Sequence, residues 1–219
     1  KWAFGLWMSS NEWNSQAAVA EQVALTERHG IPATALVIEA WSDESTFYIW
    51  NDAQYTPFQA SYLSQIGAPA AWDVATGSKT VVVAVIDTGT DTSHEDLASR
   101  LWQNNAEIAG DGIDNDNNGC VDDVYGCRFI TLTAARRSAC GYTSDQPTGD
   151  IVDDHGKADS TRHSHGTMVA GAVGAAGNNG VGVTGVAWDV KILTVKVLDC
   201  GTGPDGEAAG ELSDVARGI

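Results

Sequence analysis

The chain has 219 residues, of which 43% are apolar, enough for one ordinary domain or two small ones and too apolar for a disordered segment. Asp and Glu number 29 against 12 Lys and Arg; the formal net charge of −17 argues against nucleic acid or anionic lipid as a partner. No apolar run reaches the ~18 residues that a membrane helix needs. So acidic a surface suits cation binding, although we expect most of its carboxylates only to be solvated.

Residues 1–57 differ in composition from the remainder, since they hold five of the eight tryptophans and none of the four cysteines. Their pattern predicts a strand over residues 2–8, an amphipathic helix over 15–29 and, after a Gly-Ile-Pro turn, a strand over 33–40. Residues 46–50 are a candidate for another strand. We therefore predict a separate β-α-β segment over residues 1–57.

From residue 58 onward, short apolar runs alternate with helical patterns. The β-branched run Thr-Val-Val-Val-Ala-Val-Ile at residues 80–86 predicts a strand buried on both faces, as in a parallel sheet. The polar stretch 87–162 predicts a long functional loop. The other predicted elements are helices over 68–74, 166–174 and 211–216 and a strand over 190–197. This alternation predicts an α/β domain with a doubly wound, mostly parallel sheet over residues 58–219.

The four cysteines are Cys120, Cys127, Cys140 and Cys200, and none forms a Cys-x-x-Cys pair that would indicate zinc. Their even number predicts two disulfides and an oxidising compartment. The pairs Cys120–Cys127 and Cys127–Cys140 are the easiest to close. The alternative is four buried free thiols, which pack as small apolar groups.

Two short motifs carry the chemistry of a site. Asp87, in Val-Ile-Asp-Thr-Gly, follows a buried strand at the sheet edge where α/β proteins bind ligands, although such a residue is often only a turn cap. His165 begins the helix-forming run His-Gly-Thr-Met-Val-Ala-Gly. In this order the two motifs resemble those of the subtilase family of serine proteases. The resemblance implies that Asp87 orients the imidazole and that His165 acts as general base and then general acid.

Other segments extend the resemblance over about residues 51–219. They are Ser-Gln-Ile-Gly-Ala-Pro-Ala-Ala-Trp at 64–72, His-Glu-Asp-Leu at 94–97, Gly-Val-Ala at 185–187 and Val-Lys-Val-Leu-Asp at 195–199. Ser164 and Met168 replace a Gly and a His of the family pattern, and residues 156–162 look like an insertion. The resemblance implies an incomplete subtilisin-like fold and a secreted, monomeric endopeptidase acting on protein or peptide substrates.

The nucleophile of the family lies in Gly-Thr-Ser-Met-Ala, a motif that these residues lack; only Ser213, in a predicted helix start, follows His165. Without that serine no acyl-enzyme forms, so we expect no peptidase turnover from these residues alone. The first residue is Lys and no signal peptide follows it, which indicates a processed chain or a fragment.

A third motif, within residues 111–123, is rich in the oxygen ligands that Ca²⁺ prefers. Its spacing matches the start of an EF-hand loop, but Tyr125 stands where that loop has Glu. The alternative is a solvated turn cluster. The candidate ligands are Asp111, Asp114, Asp116, Asn118, Asp122 and Asp123.

The subtilase resemblance implies two further calcium positions. One is Asp96 with Asn179 and the backbone oxygens of Gly177, Val181 and Val183. The other is Asp52, at the place of an amino-terminal ligand of thermitase-like members. Calcium bound to the folded state would stabilise it by mass action.

Residues 1–57 resemble another family. The segments Trp-Ala-Phe-Gly-Leu-Trp-Met-Ser at 2–9, Asn-Glu-Trp-Asn at 11–14 and Trp-Ser-Asp-Glu-Ser-Thr-Phe-Tyr-Ile at 41–49 resemble the first β-α-β unit of a family 31 glycoside hydrolase barrel. A closed barrel needs eight such units and about 250 residues, so no glycosidase residue is assigned here. The alternatives to a protease are therefore a glycoside hydrolase fragment and a non-catalytic calcium-binding module.

Overall fold

The computed structural model describes residues 7–8, 35–36, 63–154, 164–202 and 208–219. The chain forms two compact units, Lys1–Gln54 and Tyr55–Ile219. In the first unit, β1 (Trp7–Met8) pairs in parallel with β2 (Ala35–Leu36). A parallel pair requires a crossover connection, as a β-α-β unit has. The predicted helix over 15–29 and strand over 46–50 lie outside the described residues.

The second unit contains the strands β3 (Val82–Asp87), β4 (Gly126–Arg128) and β5 (Lys191–Lys196). They form a parallel sheet in the order β3-β5-β4. The register places Asp87 beside Lys196 at the carboxyl ends of β3 and β5. The predicted parallel α/β architecture is confirmed.

The described part of the second unit also contains short helices. They are α1 (Ala68–Trp72), α2 (Ala134–Cys140), α3 (His165–Gly174) and α4 (Leu212–Arg217). Helix α3 packs against β3 and β5. Its small residues permit a close approach, because a Cβ at Gly174 would lie 2.9 Å from Cδ1 of Ile192. None of the helices among the described residues is long and apolar enough to cross a membrane.

Strand β3 is less buried than its apolar sequence predicts. Val85 and Asp87 are buried, whereas Ala84, on the opposite face, is exposed and Val82 and Ile86 are half-buried. The prediction of burial on both faces is therefore wrong for this chain. Among the described residues, α3 is the helix that packs against β3, so the face of the strand that carries Ala84 is left partly uncovered.

The polar stretch after β3 is more ordered than a loop. It contains β4, whose three residues are buried, and α2, which begins after the Thr133 cap and ends at Gly141 with φ of 76°. Disulfides Cys120–Cys127 and Cys140–Cys200 fasten it. Two disulfides and the Cys120–Cys127 pairing are thus confirmed, while the Cys127–Cys140 alternative and the free thiols are wrong.

Candidate active site

Asp87 and His165 meet at the carboxyl end of the sheet. Nδ1 of His165 lies 2.8 Å from Oδ1 and 2.9 Å from Oδ2 of Asp87. The Asp87 side chain is 11% exposed and the His165 side chain 38% exposed, so the carboxylate is enclosed while the imidazole is partly accessible. A carboxylate on Nδ1 favours the tautomer with the proton there, which leaves Nε2 as the basic nitrogen.

Thr88 joins the two motifs. Its backbone N–H donates to Oδ1 of Asp87 at 2.6 Å, and its Oγ1 accepts from the N–H of Gly166 at 2.8 Å. A Cβ at Gly166 would collide with the carbonyl oxygen of Gly89 and lie 3.1 Å from Cβ of Asp87. Glycine at position 166 is therefore what lets the first turn of α3 approach the end of β3.

Ser213, the serine that follows His165 in the sequence, lies in α4 and is exposed. The Asp87–His165 contact pairs a carboxylate with an imidazole, two groups that serve in general acid–base chemistry. The sequence contains no Gly-Thr-Ser-Met-Ala motif.

Residues 107–123, here called the Asp-rich loop, contain a cluster of three carboxylates. One oxygen each of Glu107, Asp114 and Asp116 lies within 4.8 Å of the others. Oε1 of Glu107 accepts from the N–H groups of Asn115 (2.8 Å) and Asp116 (3.2 Å), whereas its buried Oε2 has no hydrogen-bond partner. The motif did not identify Glu107, because this residue precedes the alternating Asp and Asn run and joins it only through folding.

Other predicted ligands in this loop hold its backbone. The Asp122 carboxylate accepts from the N–H groups of residues 110, 111 and 112 at 2.8, 3.1 and 3.1 Å. Asp111 accepts from Ile113 N–H and from the side-chain amide of Asn115. The Asn118 Oδ1 accepts from Cys120 N–H at 2.8 Å. These contacts shape the loop around the carboxylate cluster.

Asp123 lies deeper than the other carboxylates of the loop and is 7% exposed. Burial raises its pKa, against hydrogen bonds from the side-chain amides of Asn118 and Asn104 that lower it. Asn104 also donates to Asp116 at 2.9 Å. Asn104 therefore connects Asp123 to the carboxylate cluster.

Asp96 and Asn179, the second predicted calcium position, are adjacent. Oδ1 of the fully buried Asp96 accepts from the Asn179 amide at 2.8 Å, and Oδ2 accepts from Val183 N–H at 2.8 Å. If Asp96 and Asn179 shared a cation, the side-chain oxygen of Asn179 would have to face Asp96. In this structure that oxygen instead accepts from Val181 N–H at 3.1 Å. This donor set fits calcium less well than the cluster with Glu107. Asp52 lies outside the described residues.

Comparison with known families defines the class of protein. Residues 78–218 match the model of the subtilase family, Peptidase_S8, and the chain belongs to this family. Residues 1–105 match the TIM-barrel domain of glycosyl hydrolases family 31. The two matches overlap over residues 78–105, where β3 pairs with β5, a strand that lies outside the glycosyl hydrolase match.

Similar proteins reflect both matches. The extracellular protease of Xanthomonas campestris pv. campestris is 37% identical over 155 residues, 68% of this chain and 21% of that protein. The isomaltosyltransferase of Sporosarcina globispora is 61% identical over 57 residues, 26% of this chain and 5% of that protein. A solved protease structure from Pseudoalteromonas arctica superposes with a TM-score of 0.51 at 30% identity, covering 77% of this chain and 42% of that one. The chain therefore spans less than half the length of each of these relatives.

Proposed function

We propose that Asp87 and His165 are two members of the Asp-His-Ser triad of a secreted, calcium-dependent subtilisin-like endopeptidase. The observation that carries this proposal is the contact between Nδ1 of His165 and both oxygens of Asp87, at 2.8 and 2.9 Å. Subtilase membership supplies the reaction class, hydrolysis of a peptide bond in a protein or peptide substrate.

The two side chains have separate roles in this reaction. Asp87 holds the proton on Nδ1 and stabilises the imidazolium, while Thr88 N–H fixes the carboxylate. Nε2 of His165 takes the proton of the serine hydroxyl as that oxygen bonds to the substrate carbonyl carbon. It then delivers the proton to the leaving amine as the carbon–nitrogen bond breaks.

These 219 residues contain no Gly-Thr-Ser-Met-Ala motif, so this proposal assigns the serine to a longer form of the protein. We therefore propose that the 219 residues alone are inactive and that a longer product of the same gene is the enzyme. The disulfides Cys120–Cys127 and Cys140–Cys200 and the relative named an extracellular protease support a secreted location.

The test is to read the coding sequence past Ile219 and express the longer chain with calcium. We expect it to hydrolyse casein and to be labelled by a serine-directed phosphonate on a serine in a Gly-Thr-Ser block. The 219-residue chain and a His165→Ala variant of the longer chain serve as unlabelled controls. An unlabelled, folded longer chain would instead favour a non-catalytic calcium-binding module.

The Asp-rich loop has the side chains to hold calcium as a cofactor. The donor set is the hard-oxygen type that Ca²⁺ prefers, and the unpartnered, buried Oε2 of Glu107 is an acceptor that a cation would satisfy. We propose that Glu107, Asp114 and Asp116 hold the ion, with Asn118 and Asp123 beside them and with Asp111 and Asp122 shaping the backbone. Bound calcium would supply stability rather than chemistry.

Isothermal titration of the 219-residue chain with CaCl₂ tests this assignment. We expect Glu107→Gln to weaken calcium binding by about tenfold or more, since it removes one charged ligand. Asp145→Asn is the matched control, because Asp145 pairs with Arg137 outside the loop, and it should leave the affinity unchanged. Equal affinities of wild type and Glu107→Gln would remove Glu107 from the site.

Residues 1–57 carry the second candidate function. The glycosyl hydrolase match and the 61% identity over 57 residues favour a fragment of a family 31 barrel, which we propose to be separate from the protease domain of residues 58–219. A hydrolysis assay of the longer chain against α-glucosides distinguishes the protease hypothesis from the glycoside hydrolase hypothesis. Hydrolysis of α-glucosides without hydrolysis of casein would favour the glycoside hydrolase.

A further inference from the structure

Thr88 uses every one of its polar groups at the junction between the two motifs. Its N–H donates to Asp87, its Oγ1 accepts from Gly166 N–H, and the same hydroxyl donates to Oδ1 of Asp153 at 2.9 Å. Its carbonyl oxygen accepts from Nζ of Lys196. Only 1% of Thr88 is exposed, so water does not replace these contacts.

Asp153 connects Thr88 to the first turn of helix α3. Its Oδ2 accepts from the N–H of Thr167 at 2.8 Å and from the Thr167 hydroxyl at 2.7 Å. The N–H groups of Gly166 and Thr167 belong to the first turn, which has no partners within a helix. The N-cap residue Ser164 makes no side-chain cap bond. The helix that begins with His165 is therefore capped by residues from two other segments, and the negative charge of Asp153 suits its amino terminus.

Lys196 holds the backbone carbonyl of Thr88, whereas Asp153 holds its hydroxyl. It is fully buried on β5, beside Asp87 in the register, and its Nζ lies 2.7 Å from Oδ1 of Asp154. Oδ2 of Asp154 accepts from the Tyr142 hydroxyl at 2.8 Å. Desolvation of two charges offsets much of the attraction in a buried ion pair, so stability alone is a weak reason for such a pair. Here the pair fixes one carbonyl oxygen, that of the residue after Asp87.

We propose that Thr88, held between Asp153 and Lys196, is a positioning residue that sets His165 against Asp87. This inference rests on the proposed function and adds to it Asp153, Lys196 and the hydroxyl group of Thr88. Asp153 and Asp154 are adjacent in the chain, so one segment holds Thr88 on its hydroxyl side directly and on its carbonyl side through Lys196. The segment also packs on the turn after β3, where Thr90 N–H donates to the Ile151 carbonyl at 2.9 Å.

Hydrogen exchange of the wild-type 219-residue chain gives the first test. The amides of Gly166 and Thr167 should be protected although they lie in the first turn of a helix. Protection no better than that of unpartnered first-turn amides would overturn the inference, and this measurement needs no variant.

The second test follows the imidazole Nδ1 proton of His165 by NMR. Thr88→Val keeps the shape and removes the hydroxyl, and we expect solvent exchange of this proton to quicken about tenfold, the equivalent of one hydrogen bond to a charged group. Asp153→Asn should act in the same direction, whereas Thr88→Ser should restore the wild-type rate. Asp145→Asn, which removes a hydrogen-bonded carboxylate elsewhere, should leave the rate unchanged.

Asp87→Asn separates this inference from the proposed function. The Nδ1 resonance should be present in the wild type and lost in Asp87→Asn. Its absence from the wild type would refute the Asp87–His165 pair, and with it both proposals. A resonance that depends on Asp87 but keeps its exchange rate in folded Thr88→Val would refute only the role of Thr88.

Discussion

Tyr142 shows how the network behind the candidate active site changes the pKa of one side chain. Its hydroxyl donates to Asp154, and the guanidinium of Arg128 lies 4.4 Å from the centre of its ring. Burial raises the pKa of Tyr142 well above its ordinary value of 10.0, and the charge of Asp154 raises it further. The phenol therefore stays protonated and keeps its hydrogen bond to the partner of Lys196.

This raised pKa predicts a pH-dependent loss of stability. The folded state holds the phenolic proton more tightly than the unfolded state, so the contribution is complete below pH 10 and is lost as the pH rises further. Between pH 10 and pH 11 we expect the free energy of unfolding to fall about 1 kcal/mol more in wild type than in Tyr142→Phe, because the unfolded tyrosine is half ionised at pH 10 and almost fully ionised at pH 11. Urea unfolding at pH 9, 10 and 11 measures this slope. The exposed Tyr125→Phe should retain the wild-type slope, and equal slopes for wild type and Tyr142→Phe would contradict the account.

At the residue scale, the sequence predicted what a local motif contains. Asp87 and His165 each lie in a contiguous run, and the structure places them in contact. Glu107 and Asp153 lie outside the quoted motifs, and Lys196 lies within the Val-Lys-Val-Leu-Asp segment, which gives it no role by itself; their roles depend on neighbours up to 108 positions away, as for Lys196 and Thr88. Their side chains are identifiable only when the fold brings these segments together.

The two disulfides constrain elements over different lengths of chain. Cys120–Cys127 closes seven positions beside the carboxylate cluster, whereas Cys140–Cys200 spans 60 positions and ties α2 to the segment after β5. In the same segment the buried Asp199 accepts from Arg136 of α2 at 2.6 Å. This long-range link fastens an irregular part of the chain to the sheet.

The difference in loop length predicts a difference in stability. Loop-closure entropy alone gives about 4 kcal/mol for the bridge over 60 positions and about 2 kcal/mol for the bridge over seven. The variant with Ser at 140 and 200 should therefore unfold at lower urea than the variant with Ser at 120 and 127. The comparison is made without added calcium, since the shorter bridge adjoins the carboxylate loop. The reverse order would show that the longer bridge constrains little.

At the element scale, continuous apolar runs were informative, whereas short elements in polar sequence were not. The helix predicted over 166–174 is observed at His165–Gly174, and the strand predicted over 190–197 at Lys191–Lys196. Strand β4 has three residues, Gly, Cys and Arg, and is held by pairing with β5 rather than by strand propensity. Helix α2 begins with a Thr cap inside a polar stretch, where composition favours a loop.

The whole molecule combines two family matches, and the second unit is the one that holds the Asp–His pair. Its sheet contains β3 as an edge strand whose apolar sequence is that of a central one. The alternation of predicted strands and helices correctly indicated the α/β class, whereas the burial of β3 depends on which other elements pack against it in the fold. The net charge of −17 gave the expectation of cation binding, and the Glu107 cluster is the place that we propose for the ion.

The most direct test of the central claim is the effect of Asp87→Asn on kcat in the longer, serine-containing chain. At neutral pH we expect casein hydrolysis to fall about 10⁴-fold, the loss known for this change in serine proteases of the triad type, because the imidazole then adopts the wrong tautomer. The variant should still fold and bind calcium as the wild type does. A kcat within about tenfold of wild type would contradict the assignment of Asp87 and His165 to a catalytic triad.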